Sequence, residues 1–337
     1  MRLLSQRPTF DLISLVAVCA ILAGCGAGGG GATTSGSPSS DPAGRLTALT
    51  ALDQRVARVA QRLSEDNVEL CPAVRLAAGW ALHSASQYSN ELRPLVQSRF
   101  GLEGDLPGVL SAPPTSAAAE AGLREGDLIL AVNGTALNAG PTRSAPAFEG
   151  LAANIALLDG ALAAGTTRLD IRRGDDLLSV TVEPHRACGY EVQLNPSDEL
   201  NARADGRRLF ISTALAGFTQ SDDELALILG HELAHHVLRH RTWSNVGGAG
   251  REANDAAAVN GAGDKETQAD RVGLFLTARA GYDTRIAPAF WRRFGAANWR
   301  VRYPQLRHAS AEARARALEQ VQVEIDAKKV QGGPLLP

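Results

Sequence analysis

The sequence predicts an α+β protein, with a small β-rich module followed by a mostly helical domain. Three observations point there. Apolar residues recur at helical spacing before the module (Leu49, Leu52, Val56, Val59, Ala60, Leu63). Alternating strand patterns, broken by Gly126-Asp127, Asn133-Gly134 and Gly174-Asp175, fill residues 109–182. A capped helical pattern then opens at Ser221, and another covers residues 264–276.

The elements follow in chain order. Residues 46–63 read as an amphipathic helix within an N-terminal segment, 45–99. Ala117 to Ala121 suit a short helix that Gly122 terminates. Leu128, Leu130 and Val132 alternate on one strand face, and Asn133-Gly134 signals a hairpin. Residues 150–163 read as a helix, and 168–172 and 177–182 as two strands. Ser221 and Glu224 form a capping box, with Asp222 and Asp223 at the positive end of the next helix.

Composition narrows the function classes. The chain has 337 residues, 45% hydrophobic and 21% charged, which suits about two globular domains with ends. Its 34 basic and 36 acidic residues give a net charge of -2, so no nucleic-acid partner is expected. A single long apolar run excludes a polytopic membrane protein.

That run is N-terminal. Arg2 and Arg7, without an acid, precede an apolar stretch over 12–23. It is shorter than the roughly 20 residues of a comfortable span. The pattern is that of a secretory leader, 1–24. Leu22-Ala23-Gly24-Cys25 resembles the bacterial lipobox, which implies lipidation of Cys25 and a flexible tether over 25–44 rich in Gly, Ser, Thr and Pro. The expected location is the bacterial cell envelope, facing the periplasm and held by the lipid anchor only. Gly26, in place of an Asp, favours the outer membrane over the inner. Cys19 leaves with the leader and Cys25 is consumed by lipid. Cys71 and Cys188 remain, with one pairing open to them in an oxidising compartment. No C-x-x-C pair offers a cysteine metal site.

Val109-Leu110, Ser116-Ala117-Ala118-Ala119-Glu120-Ala121-Gly122-Leu123 and Gly126-Asp127-Leu128-Ile129-Leu130-Ala131-Val132-Asn133-Gly134 resemble a PDZ domain of the bacterial protease type. The resemblance covers 100–184. It implies binding of an extended peptide or a C-terminus by strand addition. The expected groove lies between Phe100-Gly101-Leu102 and the 150–163 helix.

His231-Glu232-Leu233-Ala234-His235 carries the chemistry. Two histidines four apart on a helix share a face and can share a metal, while Glu232 is placed to reach a water. A catalytic zinc needs a third protein ligand. Leu238 and Arg241 stand where the metzincin pattern needs Gly and His, so that class is excluded. Glu266 and Asp270 share a face of a following helix. One suits the metal and the other suits a hydrogen bond from a ligand histidine. His236 and His240 are read as structural and directed elsewhere. His83 and His185 show no partner pattern, and Trp291 and Trp299 are read as core or rim.

This Glu-x-x-Ala-Asp after His-Glu-Leu-Ala-His resembles the HtpX/Oma/CAAX-prenyl-protease family of zinc metallopeptidases, family forty-eight. Asn201, the stretch 205–213, Asp223-Glu224-Leu225-Ala226 and Gly281-Tyr282-Asp283 agree with it. The resemblance implies a zincin-type domain over 185–325 with a small edge sheet, then a tail over 326–337. It implies one Zn2+ per chain on His231, His235 and Glu266, Glu232 as base and Asp270 behind a ligand. The strand of Arg208, Phe210 and Ser212 becomes the expected substrate edge. Arg307-His308-Ala309-Ser310 with Arg314 departs from the family's Thr-His-Pro-Ser and later Arg. His308 is carried as a catalytic candidate for oxyanion stabilisation or gating. Residues 241–265 are polar where membrane members carry hydrophobic spans. The expected function is a tethered metalloendopeptidase acting on misfolded envelope polypeptides, with a PDZ domain for substrate binding or regulation. The alternative is a PDZ-bearing periplasmic adaptor or chaperone with a non-catalytic metal site.

Overall fold

The computed structural model describes residues 41–141, 144–204, 208–240, 256–298 and 310–337. Residues 1–24, read as a leader, lie outside the described residues, as do Cys25, Trp299 and His308. So do residues 241–255 of the polar stretch.

Helix α1, Pro42–Asp66, opens on Asp41, whose side chain accepts from the Gly44 N–H, with Pro42 at the first position. It starts ahead of the periodic stripe because the cap, not the stripe, sets its beginning. Leu46, Val56, Val59 and Leu63 are buried along it. The helix acts as a strut between two hydrophobic cores. Val56, Val59 and Leu63 belong to the core of the helical domain and Leu46 to that of the β-rich module. Its polar side chains tie both together. Arg55 and Arg58 pair with Asp222 at 2.9 and 2.8 Å, while the Gln54 amide donates to the Leu110 carbonyl at 3.0 Å.

The chain enters the module through β1, Val74–Ala77, and leaves it through β8, His185–Cys188. These two strands pair antiparallel, with Val74 opposite Cys188. Cys71 and Cys188 are joined by a disulfide with a Cα–Cα distance of 5.5 Å. A loop of this length gives the cross-link about 4–5 kcal/mol in the chain-entropy account. His185 lies between Glu65 of α1 and Glu120, at 3.2 and 3.1 Å. Burial lowers its imidazole pKa, but hydrogen bonds that it donates to both carboxylates outweigh that and raise it.

Between β1 and β8 lie β2 Ala81–His83, α2 Arg93–Phe100, β3 Gly108–Ser111, α3 Ala117–Glu120 and β4 Leu128–Val132. They are followed by β5 Thr135–Ala136, α4 Glu149–Ala163, β6 Thr167–Arg173 and β7 Asp176–Val182. The sheet runs β2-β3-β4-β6-β7, with β5 on β4. Asn133 and Gly134 both have positive φ (48° and 81°), as a type I′ hairpin turn between β4 and β5 requires.

Three expectations are corrected here. The module starts before residue 100, because β2 pairs with β3 (Leu82 with Val109, His83 with Gly108). Phe100-Gly101-Leu102 is no strand. Phe100 ends α2, Gly101 caps it at φ 65°, and Phe100 and Leu102 are buried in the core. The sheet edge there is β2. Strand β4 does not alternate simply either. A register shift between Ile129 and Ala131 buries Leu128, Ile129 and Val132 and leaves Leu130 half-buried.

The helical domain begins with β9 Glu191–Asn195, β10 Ala202–Ala204, β11 Arg208–Ser212 and α5 Thr213–Phe218. Then come α6 Asp222–Val237, α7 Ala256–Arg279, α8 Ala287–Ala297 and α9 Ala311–Val330. Its sheet has the order β10-β11-β9. The strand of Arg208, Phe210 and Ser212 is therefore central. Phe210 is paired with Arg203 on one side and Gln193 on the other, so neither edge of β11 is open to a substrate strand. Among the described residues no helix is long and apolar enough to cross a membrane.

Candidate active site

Helix α6 is cut by its cap. Ser221 accepts from the Glu224 N–H, and Glu224 reaches back to the Gln220 N–H at 2.6 Å. From there the sequence runs into the core, and His231 and His235 are both buried. Helix α7 lies across α6 and brings Glu266 to them. His231 Nε2 and His235 Nε2 are 3.3 Å apart, His231 Nε2 is 3.3 Å from Glu266 Oε2, and His235 Nε2 is 3.6 Å from Glu266 Oε1. One ligand atom from each of these residues lies within 4.8 Å of the others. A tetrahedral ion with bonds of 2.0–2.1 Å separates its ligands by about 3.3–3.4 Å, so the donor set fits zinc in spacing and in chemistry.

The far side of each imidazole is also occupied. His231 Nδ1 is 3.0 Å from Asp270 Oδ1. Arg314 of α9 holds Asp270 through both oxygens, with Nε donating to Oδ2 at 2.8 Å and Nη2 donating to Oδ1. The guanidinium carbon of Arg314 lies 3.5 Å from the centroid of the Trp291 ring. Trp291 is thus a buried platform for that arginine. His235 Nδ1 is 3.0 Å from His240 Nδ1, and His240 Nε2 is 3.3 Å from Gln268 Oε1. With Gln268 accepting, His240 donates from Nε2 and accepts from His235 Nδ1–H. Both ligand imidazoles then present Nε2 lone pairs to the same point.

These contacts set the protonation of the metal-free site. Burial works against the charged His231, but hydrogen bonds to Asp270 and Glu266 outweigh it and raise the imidazole to about 9. Burial and the neighbouring His231 charge push His235 down to about 3.

Residues 172–251 match the profile of peptidase family M48, and residues 108–145 match a PDZ domain profile. Over those residues the chain is similar to M48 peptidases and to PDZ domains. The chain is 27% identical over 135 residues to the beta-barrel assembly-enhancing protease of Yersinia pestis. That match covers 31% of this chain and 28% of the relative, so the chain spans under a third of the relative's length. A solved HtrA3 PDZ domain bound to a phage-derived ligand (FGRWV) is 22% identical and covers 34% of this chain and 88% of that one. Its TM-score of 0.24 is too low to bear on the fold.

Within the helical domain, α6 and α7 approach closely at two glycines. A Cβ on Gly273 would lie 2.8 Å from the His231 backbone, and one on Gly230 would lie 2.5 Å from Thr277 Oγ1 and 2.9 Å from the Gly273 carbonyl. This contact lets Glu266 and Asp270 reach His231. Gly273→Ala is expected to destabilise the protein by about 1–3 kcal/mol, since extra atoms in a packed contact displace backbone. Chemical denaturation checks this, and metal affinity falls in the same variant.

His231, His235, Glu266 and Asp270 converge as their spacing suggests. Glu232 is half-buried on the next position of α6. The contribution of His240 is a correction to its sequence reading. The helix ends at Val237, Arg239 adopts φ 53°, and the chain turns back so that the His240 N–H bonds the His235 carbonyl at 2.9 Å. Helical geometry, which put His240 about 140° round from His235, does not apply past that turn. Arg314 was visible only as a family-like position, and its role needs the tertiary fold. Mid-helix glycines at 230 and 273 were the available signal for the close crossing.

Proposed function

We propose that the chain is a zinc-dependent metalloendopeptidase, tethered by a lipid on Cys25 to the bacterial envelope, that hydrolyses unfolded envelope polypeptides. The convergence of His231, His235 and Glu266 donor atoms, with Glu232 on the adjoining position of α6, carries this reading. His231, His235 and Glu266 would hold a zinc ion, which would supply Lewis acidity to a water and to the scissile carbonyl. Glu232 accepts the proton of the attacking water and delivers it to the leaving amine. Asp270 and His240 hold the ligand imidazoles in one tautomer and orientation. The PDZ match supports a peptide-binding role, with the end strand β2 as the edge that a peptide strand would join. The anchor and outer-membrane location rest on the sequence pattern around Cys25. Fractionation of a Cys25→Ser variant, expected in the soluble periplasm, checks them.

The test of the reaction is digestion of unfolded casein followed by sequencing of the product ends. New internal N-termini are expected. Release of terminal residues only, or no cleavage, overturns the reading. Zinc uptake is expected to release about one proton between pH 5 and 9. In the metal-free protein His231 stays protonated up to about 9, and its Nε2 must lose that proton, while His235 is already neutral. Affinity therefore rises with pH across this window, as calorimetry in buffers of differing ionisation enthalpy will measure.

A further inference from the structure

The two strands that carry the chain into and out of the β-rich module form a ribbon fastened at both ends. Where Val74 faces Cys188, the disulfide closes it. Where Ala77 faces His185, the fastening is ionic. His185 Nδ1 is 3.2 Å from Glu65 Oε2 of α1, and its Nε2 is 3.1 Å from Glu120 Oε2 of α3. We infer that His185 is a proton-operated clamp, which holds the β-rich module on α1 while its imidazole is protonated and slackens when the ring is neutral. The inference does not depend on the chemistry of the metal site.

The imidazole itself carries the argument. A neutral ring has one N–H and one lone pair, and only the protonated ring has two donors. With a carboxylate at each nitrogen, the neutral ring turns a lone pair toward a carboxylate oxygen. Both contacts are therefore attractive only in the protonated form. They are unequal. The Glu120 side chain is 61% exposed and that of Glu65 only 18%, so water screens the first far more than the second. Glu65 Oε1 is buried and has no hydrogen-bond partner among the described residues. His185 thus compensates a largely buried carboxylate.

That carboxylate lies where it can act on the module. Gly79, in the turn between β1 and β2, has φ 75°. A Cβ there would lie 2.8 Å from Ser116 Cβ, 3.1 Å from Gln61 Cγ and 3.4 Å from Glu65 Oε1. So α1, the cap of α3 and the approach to the β2 edge meet beside Glu65. The Ala118 N–H of α3 donates to the Ala78 carbonyl of the same turn at 2.8 Å. Slack at Glu65 is passed on to α3 and to the start of β2.

Other charges surround the clamp. Arg75 is on the same face of the ribbon as His185, two positions before Ala77. Arg62 and Asp66 flank Glu65 on α1 and pair with each other at 3.7 Å. Burial lowers the His185 pKa, and the bonds to Glu65 and Glu120 outweigh it, leaving it raised. A raised imidazole contributes in full below its unfolded value of about 6.5 and loses that contribution as pH rises through the folded value. Asp53 of α1, pushed up to about 7 by burial, changes stability in the same direction, so variants of His185 must separate the two.

Hydrogen exchange of the full chain at about pH 6 and about pH 8.5, corrected for the intrinsic rate, tests the clamp at the Ala118 amide and its neighbours in α3. Wild-type protection there is expected to fall about three- to tenfold at the higher pH, the scale of partly exposed charge pairs, while α8 is unchanged. His185→Gln is expected to show the lower protection at both values. His185→Lys, charged at both, is expected to keep the higher. Equal wild-type protection at the two pH values overturns the clamp. So does either variant that retains the full wild-type pH dependence, which assigns it to Asp53, and so does a loss that α8 shares, which is global unfolding.

Discussion

Glu232→Gln is expected to lower peptide hydrolysis by about 10²–10⁴-fold while zinc remains bound, the range for losing a positioned general base. The substitution keeps size and shape and removes only the ability to take a proton. Glu232 is one residue past His231, about 100° round the helix, so it does not share the ligand face. The metal site should therefore persist. Metal content and kcat on the same preparation check the prediction together. Wild-type hydrolysis in the variant would assign the proton transfer to another group. Lost zinc would mean that Glu232 shapes the site.

Arg314→Ala is expected to be the most damaging substitution outside the metal ligands. Arg314 and Asp270 are both buried, 7% and 8% exposed, and they pair through two hydrogen bonds. Burial raises the Asp270 carboxyl, but Arg314 and then His231 outweigh it and hold its pKa below the usual range. Removing the guanidinium leaves a buried carboxylate with one partner fewer. That costs about 3–5 kcal/mol, to be read from urea denaturation. Zinc affinity is expected to fall about 10–100-fold, because Asp270 no longer holds His231 firmly. Arg314→Lys restores charge but not the fork or the contact with Trp291, so it rescues partially. The pH dependence has a definite sign. A depressed carboxylate pKa contributes stability above the unfolded value and loses it as pH falls through the folded one. Acid should narrow the gap between wild type and variant.

What the sequence discloses about the site is its local part. His231 and His235 meet because one helix sets their spacing, and Ser221 marks where that helix starts. Glu266 and Asp270 are paired by another helix in the same way. Of the four cysteines, Cys71 and Cys188 are the two outside the N-terminal apolar segment, and they are the two that pair. What stays hidden is set by long-range packing. Arg314 reaches Asp270 from 44 residues away. His240 depends on one left-handed residue after a helix end. Strand β11 looks like an edge until β9 and β10 are known to flank it. Likewise, β2 is too short for a clear alternation signal, and only its pairing with β3 shows that it belongs to the PDZ sheet.

Zinc titration into chelator-treated protein, with hydrolysis followed throughout, tests the central claim most directly. Activity should be absent after chelation, rise in proportion to added zinc, and level off at one equivalent per chain. Glu266→Ala should fail to recover at that concentration. Hydrolysis that survives chelation, or that Glu266→Ala recovers in full, would contradict a catalytic zinc on His231, His235 and Glu266.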